Sequence, residues 1–337
     1  MGPIREAMLR AWVSLASGPA GGREWRALRI EAEHPLDVFA AIREEDLTRG
    51  VLFECPIASA PSWRLRFESE GLRLIDDREG RDGTRRIALA LERIDLESVF
   101  LVVAEDLIAS SRSASGALEA VEAVGSRLSA WQTCLKLRRE GFGQERMLGL
   151  FGELVLLEQM AAAVGFDRAI AAWTGPDRGL HDFEAGRMAI EVKTSLGARG
   201  AVHIGSLDQL DPSGLQDLVL CRIVVVPEET GLDLPGLVAR IRRAADSMGH
   251  AVRRDLDHRL LMSGYIDAES QETRSDRLSV AEVEGYEVRE AFPRLTRETV
   301  ARAVIAAEYR LDTSAAMQYL MTPEALVRLL ARFGMGG

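Results

Sequence analysis

Lysine is almost missing from this chain. Of 42 basic residues only two, Lys136 and Lys193, are lysine, and arginine supplies the rest. Cysteine is also sparse: Cys55, Cys134 and Cys221 stand far apart, with no Cys-x-x-Cys pair. That spacing offers neither a disulfide framework nor a cysteine-ligated zinc site, and reads as reduced thiols. No apolar run approaches the roughly 20 residues that cross a bilayer. The opening Met1-Gly-Pro-Ile-Arg-Glu lacks the basic-then-apolar pattern of a secretory leader. A cytoplasmic protein with no membrane association is therefore expected. Positive charge is short overall. A net charge of −10 argues against an unaided grip on DNA, whose phosphates are held by lysine and arginine. Either basic charge is concentrated locally or a partner subunit supplies the binding.

What is present describes a folded α/β protein. The 337 residues, 47% hydrophobic and 28% charged, suffice for one large domain or two to three ordinary ones. Residues 1–115 read as a strand-rich region. Trp63, Leu65 and Phe67 alternate with Arg64, Arg66 and Glu68, and Ile87, Leu89 and Leu91 alternate again, the period of a sheet with one wet face. A helix is expected near 96–108, and Ser110–Gly116 is the best linker. A connecting helix is expected at 116–140 and a third region at 141–337. Within that region Met147, Leu150, Leu154 and Leu157 have helical spacing. Gly149 and Gly152 interrupt this helix, and a helix-interior glycine costs about 1 kcal/mol, so close approach of another backbone is expected. The apolar run Leu218–Val226 reads as a buried strand closed by Pro227.

The chemistry concentrates near one hairpin. Gly186 suits the first position of a two-residue type II′ turn, Gly186-Arg187. That turn pairs 185 with 188 and sets Asp182 opposite Glu191, about 5 Å away between Cβ atoms. Residues two apart share a face, so Lys193 joins these acids while Ile190 and Val192 point into the core. Facing carboxylates repel unless one holds a proton. A hard divalent cation removes that conflict, and Mg²⁺ commonly takes one or two carboxylates with water and phosphate. Arginine could not replace Lys193 as a proton-transferring group, because its guanidinium stays protonated. The plainer alternative is a solvated hairpin face whose ion pair is worth about 0–1 kcal/mol.

These residues resemble a known family. Gly149-Leu-Phe-Gly-Glu153-Leu, Trp173-x-Gly-Pro176, His181-Asp182-Phe183 and Ile190-Glu191-Val192-Lys193-Thr194 look like the PD-(D/E)XK nuclease superfamily. They are most similar to its members found beside DNA methyltransferases and ATPases in bacterial restriction-type defence clusters. The resemblance implies a restriction-endonuclease-like α/β core, a central mixed sheet flanked by helices, with the strand-rich region as an addition. It also implies Mg²⁺ or Mn²⁺ and cleavage of DNA, with an ATPase or methyltransferase as protein partner. By position, Asp182, Glu191 and Glu153 would be metal ligands and Lys193 the catalytic lysine. The chain departs from the pattern in having His181, not proline, before Asp182. A literal Pro176-Asp177 lies upstream in a turn-like setting. Asp182 is preferred because its strand position reaches Glu191.

Two weaker features complete the reading. Gln209 is a candidate contact to the substrate backbone. Arg240, Arg242, Arg243, Arg253, Arg254 and Arg259 outnumber the intervening Asp246, Asp255 and Asp257, which makes a candidate phosphate-tracking strip, with Arg242, Arg243, Arg253 and Arg254 as nucleic-acid contacts. The expected function is metal-dependent DNA hydrolysis in a restriction or anti-phage system. The alternatives are a non-catalytic binding or scaffolding subunit and a phosphoesterase acting on RNA or nucleotides.

Overall fold

A computed structural model of the chain describes residues 2–17, 25–59, 61–77, 83–139, 141, 143–177, 179–197, 200–267 and 276–334. Residues 78–82 of the polar stretch between 76 and 84 lie outside them. The chain forms two units, Met1–Arg139 and Glu140–Gly337.

The first unit contains a six-stranded antiparallel sheet. Its strands are β1 (Trp25–Glu31), β2 (Asp37–Arg43), β3 (Arg49–Pro56), β4 (Glu68–Ser69), β5 (Leu72–Asp77) and β6 (Thr84–Leu91), in spatial order β1-β2-β3-β6-β5-β4. An N-terminal helix, α1 (Pro3–Ala16), was not anticipated from the strand-rich pattern. It begins with proline in its first turn and buries Ile4, Met8, Ala11, Trp12 and Leu15, the helical spacing of a core-facing stripe. The Trp12 indole donates to Gly50 O (3.1 Å) and so ties α1 to β3. Helices α2 (Glu97–Ser111) and α3 (Ala117–Arg139) follow. The helix expected as a connector is α3, and it packs against α2 inside this unit. Arg127 and the Trp131 indole both bond Asp106, at 2.5 and 2.6 Å.

The alternation at 63–67 does not make a strand. Leu65 and Phe67 are buried as the pattern requires, but only Glu68–Ser69 join the sheet. Before that pairing the backbone is held by side chains: the Leu65 N–H donates to Asp76 and the Glu68 N–H to Gln132.

The second unit is a mixed α/β layer structure. Its helices are α4 (Gln144–Val164), α5 (Phe166–Ala172), α6 (Leu234–Asp246), α7 (His250–Met262) and a last helix, Pro323–Arg332. Its strands are β7 (Phe183–Ala185), β8 (Met188–Leu196), β9 (Ala201–Ile204), β10 (Asp217–Leu232), β11 (Leu278–Glu287) and β12 (Tyr309–Asp312). The main sheet has order β11-β10-β8-β7, with β10 and β8 parallel and the other neighbours antiparallel; β9 and β12 form a separate pair. One face buries Ile190, Val192, Val219, Cys221 and Ile223 with Leu150, Leu154 and Leu157 of α4. The other buries Ala189, Leu218, Leu220 and Tyr286 with Val202, Ile204 and Tyr319. Each such aliphatic side chain contributes about 1.5–3 kcal/mol on full burial. β10 does not end at Pro227. It continues past the last β8 pair, Val225 with Leu196, where the strand has one neighbour and tolerates proline.

One expectation about apolar runs is corrected. Helix α4 is long and apolar enough, by length and composition, to cross a membrane, and half of its apolar window is buried within the protein. The cause is its place between the sheet and α5, α6 and the last helix, which leaves little of it for polar residues.

Candidate active site

The hairpin takes the geometry its turn dictates. Gly186 has φ +60°, and Leu47 alone among described non-glycine residues has a positive φ, so Arg187 does not. A positive φ at the first turn position only is the type II′ signature. The ladder pairs Ala185 with Met188, Glu184 with Ala189 and Phe183 with Ile190. Asp182 is the next residue out, opposite Glu191, just beyond the end of β7.

Asp182 is held on two sides. Its backbone carbonyl accepts the N–H groups of Thr174 (2.9 Å) and Gly175 (3.0 Å), and its Oδ2 accepts the Val192 N–H (2.7 Å). A strand N–H points along the sheet, so the carboxylate lies near the sheet plane, open to groups from both faces. This refines the expectation that Asp182, Glu191 and Lys193 share one face. Glu191 and Lys193 alternate with Ile190 and Val192 and therefore leave β8 on the side away from α4. There Lys193 Nζ pairs with Glu191 Oε1 at 2.7 Å.

Glu153 arrives from α4, on the opposite side. Its helix approaches β8 through Gly152, where a side chain would overlap the Thr194 hydroxyl. Gly149 makes no such contact, and the close approach is to a side chain, not to another backbone. The Trp173 indole donates to Glu153 Oε2 at 2.8 Å. Trp173 itself is fully buried and bridges Phe183. Gly175 leaves a gap beside these acids: a Cβ there would stand 3.1 Å from Asp182 Oδ1 and 3.3 Å from Glu153 Oε2.

The electrostatics follow from this crowding. Glu191 is buried, whereas Asp182 and Glu153 keep some solvent contact while closely surrounded by protein. Loss of water and then the nearby Asp182 push Glu191 up to about 8, against the pull of Lys193. Burial first, then Asp182, raises Glu153 well above the usual carboxylate range, opposed by the Trp173 hydrogen bond. Burial also raises Asp182, opposed by the Val192 N–H and by Lys193. Three carboxylates that resist ionisation, with one lysine among them, make a donor set suited to a hard divalent cation. Among the described residues no three acids, histidines or cysteines converge at metal-ligand spacing. Lys193 holds Glu191, so the pair bordering the Gly175 gap, Asp182 and Glu153, is the part that fits a cation directly.

The remaining expected residues lie differently. Asp177 of the literal Pro-Asp dipeptide pairs with Arg259 at 2.7 Å, and Arg259 also bonds Trp173 O. Arg259 thus anchors the loop that carries Trp173 and Gly175. His181 is buried, with Nδ1 3.1 Å from Glu184. The Gln209 side-chain oxygen accepts the Gly205 N–H (2.7 Å), so it closes its own loop. The arginine strip is largely neutralised. Arg242 bonds Asp257 (2.7 Å) and Asp267 (2.6 Å), Arg253 bonds Asp257 and Asp246, and Arg240 bonds Glu158. Arg243 and Arg254 stay exposed, with Arg254 3.9 Å from Asp255. Acids outside the strip, Glu158, Asp177 and Asp267, take up much of the charge that the count suggested was free.

Reading along the chain missed Arg222. It is buried on β10 in register with Lys193, and bonds Glu284 (2.9 Å) and Ser195 (3.2 Å). Its signal was available, as the lone charge in Leu218–Val226. The roles of Trp173 and Gly175 had only a motif as signal, since neither has catalytic chemistry of its own.

A helix carboxylate, a strand-end aspartate and a Glu-x-Lys strand on a helix-flanked mixed sheet describe the PD-(D/E)XK class. A family model described as "Putative PD-(D/E)XK family member, (DUF4420)" matches residues 8–314, and the chain belongs to that family. No curated protein and no solved structure matches it.

Proposed function

We propose that this protein is a metal-dependent deoxyribonuclease with a restriction-endonuclease-like core, acting in a bacterial restriction or anti-phage system. The observation that carries the reading is the meeting of Asp182, Glu153, Glu191 and Lys193 at the end of β7. Family membership supports a nuclease; the DNA substrate, the metal, the defence role and an ATPase or methyltransferase partner are parts of the proposal.

Asp182 and Glu153, joined by Glu191, would hold Mg²⁺ or Mn²⁺. Such an ion stabilises charge on a phosphoryl oxygen and lowers the pKa of bound water. Lys193 orients the attacking water and offers a proton-transferring amine beside the phosphate. Glu191 fixes that amine at 2.7 Å. Arg222 stiffens the strand two residues on, through Ser195. Trp173 fills the space behind Glu153 and limits water there.

A second reading, a non-catalytic docking subunit, draws on the absence of three converging ligands among the described residues. The deciding experiment is DNA cleavage in Mg²⁺ and Mn²⁺, with and without the neighbouring defence proteins, comparing wild type with Lys193→Ala. Lys193-dependent cleavage is expected. Equal phage protection by both proteins, without cleavage, would leave the docking reading.

A further inference from the structure

Outside the acid cluster, unpaired positive charge gathers in the first unit. A groove of about 890 Å³ runs between β4, β5 and α3, and Arg73, Lys136 and Arg139 line it. All three are exposed, and none has an acidic partner among the described residues. Two acids in the same lining are already committed: Glu70 pairs with Arg93 (3.0 Å) and Glu92 with Arg43 (3.2 Å). Among the described lining residues, Glu68 is the one acid left to offset the three cations.

The segment before β4 extends this charge. It lies along α3, because Trp63 and Leu65 sit over Gly125 and the Glu68 N–H donates to Gln132. With Leu65 and Phe67 turned inward, Arg64 and Arg66 are exposed, again without an acidic partner among the described residues. Trp63 is 44% exposed beside them. Five open cations next to an accessible indole contrast with the strip at 240–259, where aspartates neutralise most of the arginines.

We infer that this face of the first unit, Arg64, Arg66, Arg73, Lys136 and Arg139 with Trp63, is a binding surface for a single strand of nucleic acid. Cations tracking a backbone, with an aromatic face for a base, are the components of such sites. The arrangement also answers how a −10 chain could hold a polyanion: its positive charge is local. The choice of DNA as ligand rests on the proposed nuclease reading, whereas the charge pattern stands without it.

The test is fluorescence anisotropy of the full chain with a labelled single-stranded DNA oligonucleotide in EDTA, across a salt series. Wild type should bind without metal, with an affinity that falls as salt rises. The double variant Lys136→Ala/Arg139→Ala should bind more weakly, with the slope of log K against log salt reduced by about 1.4, as for two lost phosphate contacts. Both side chains are exposed, so an unchanged thermal midpoint should accompany the loss. A slope unaltered in the double variant would overturn the assignment. Displacement by poly-glutamate as effective as by DNA of equal charge would also overturn it, and would assign the surface to an acidic protein segment. Failure of the nuclease reading shows separately, as binding that persists without Lys193-dependent cleavage.

Discussion

Trp173 and Glu153, twenty residues apart in the chain, are joined by a 2.8 Å hydrogen bond from indole to carboxylate. The bond is the one neutral donor opposing the upward push on the Glu153 proton affinity. Trp173→Phe keeps an aromatic ring at this buried position but removes the donor, along with the five-membered ring. It should cost about 1–3 kcal/mol, the price of an unsatisfied polar group, measured by urea denaturation. Metal affinity by calorimetry should fall as well, because Glu153 then holds its proton more firmly.

Lys193→Ala should reduce cleavage by about 100-fold or more, the lower range for loss of a general acid–base group. Lys193→Arg should fail too, since charge without proton transfer is not enough. Circular dichroism should show both variants folded. Glu191 without its lysine partner can remain protonated, given an ionisation already displaced to about 8.

The metal-free protein should lose stability as pH rises. Glu191 titrates near 4.5 when unfolded and near 8 when folded. Between those values the folded state keeps a proton that the unfolded chain has released, so unfolding gains with increasing pH. Glu153 and Asp182 are shifted in the same direction. The thermal midpoint should therefore fall from pH 4.5 to about 8 and then level off. Glu153→Gln should flatten the fall, and Mg²⁺ or Mn²⁺ should reverse it, more strongly at the alkaline end.

Two glycine substitutions should separate chemistry from packing. Gly175→Ala sets a methyl 3.1 Å from Asp182 Oδ1 and 3.3 Å from Glu153 Oε2. It should impair metal binding with little change in midpoint. Gly152→Ala instead drives a methyl into Thr194. Overpacking of about 1–3 kcal/mol should outweigh the roughly 1 kcal/mol of helix propensity gained. Adding Thr194→Ala should recover part of the loss, as read by denaturant midpoints.

Much of this site was legible in the sequence because it is local. A glycine at 186 and an apolar–polar alternation suffice to derive the register of Asp182 against Glu191. Glu153 needed the family resemblance, since nothing in a helix pattern says which carboxylate turns toward a distant strand. The side chains around Trp173 were invisible for another reason: Arg259 holds that loop from 86 residues away. Helix α1 escaped notice because its stripe stands beside a region dominated by alternating residues. The segment at 63–67 shows the converse. Alternating burial needs only one covered side, and α3 covers it as well as a sheet would.

The strand β8 carries core and chemistry on alternate residues, Ile190 and Val192 toward α4, Glu191 and Lys193 away from it. A single inserted residue in the Gly186-Arg187 turn would exchange the two sets, setting charges against leucines and aliphatic groups beside Asp182. No gradual route connects the two arrangements. Length variation in this family should accordingly avoid residues 183–193 and fall in flanking loops, and any homologue with an odd-numbered change there should have lost its fold and its chemistry together.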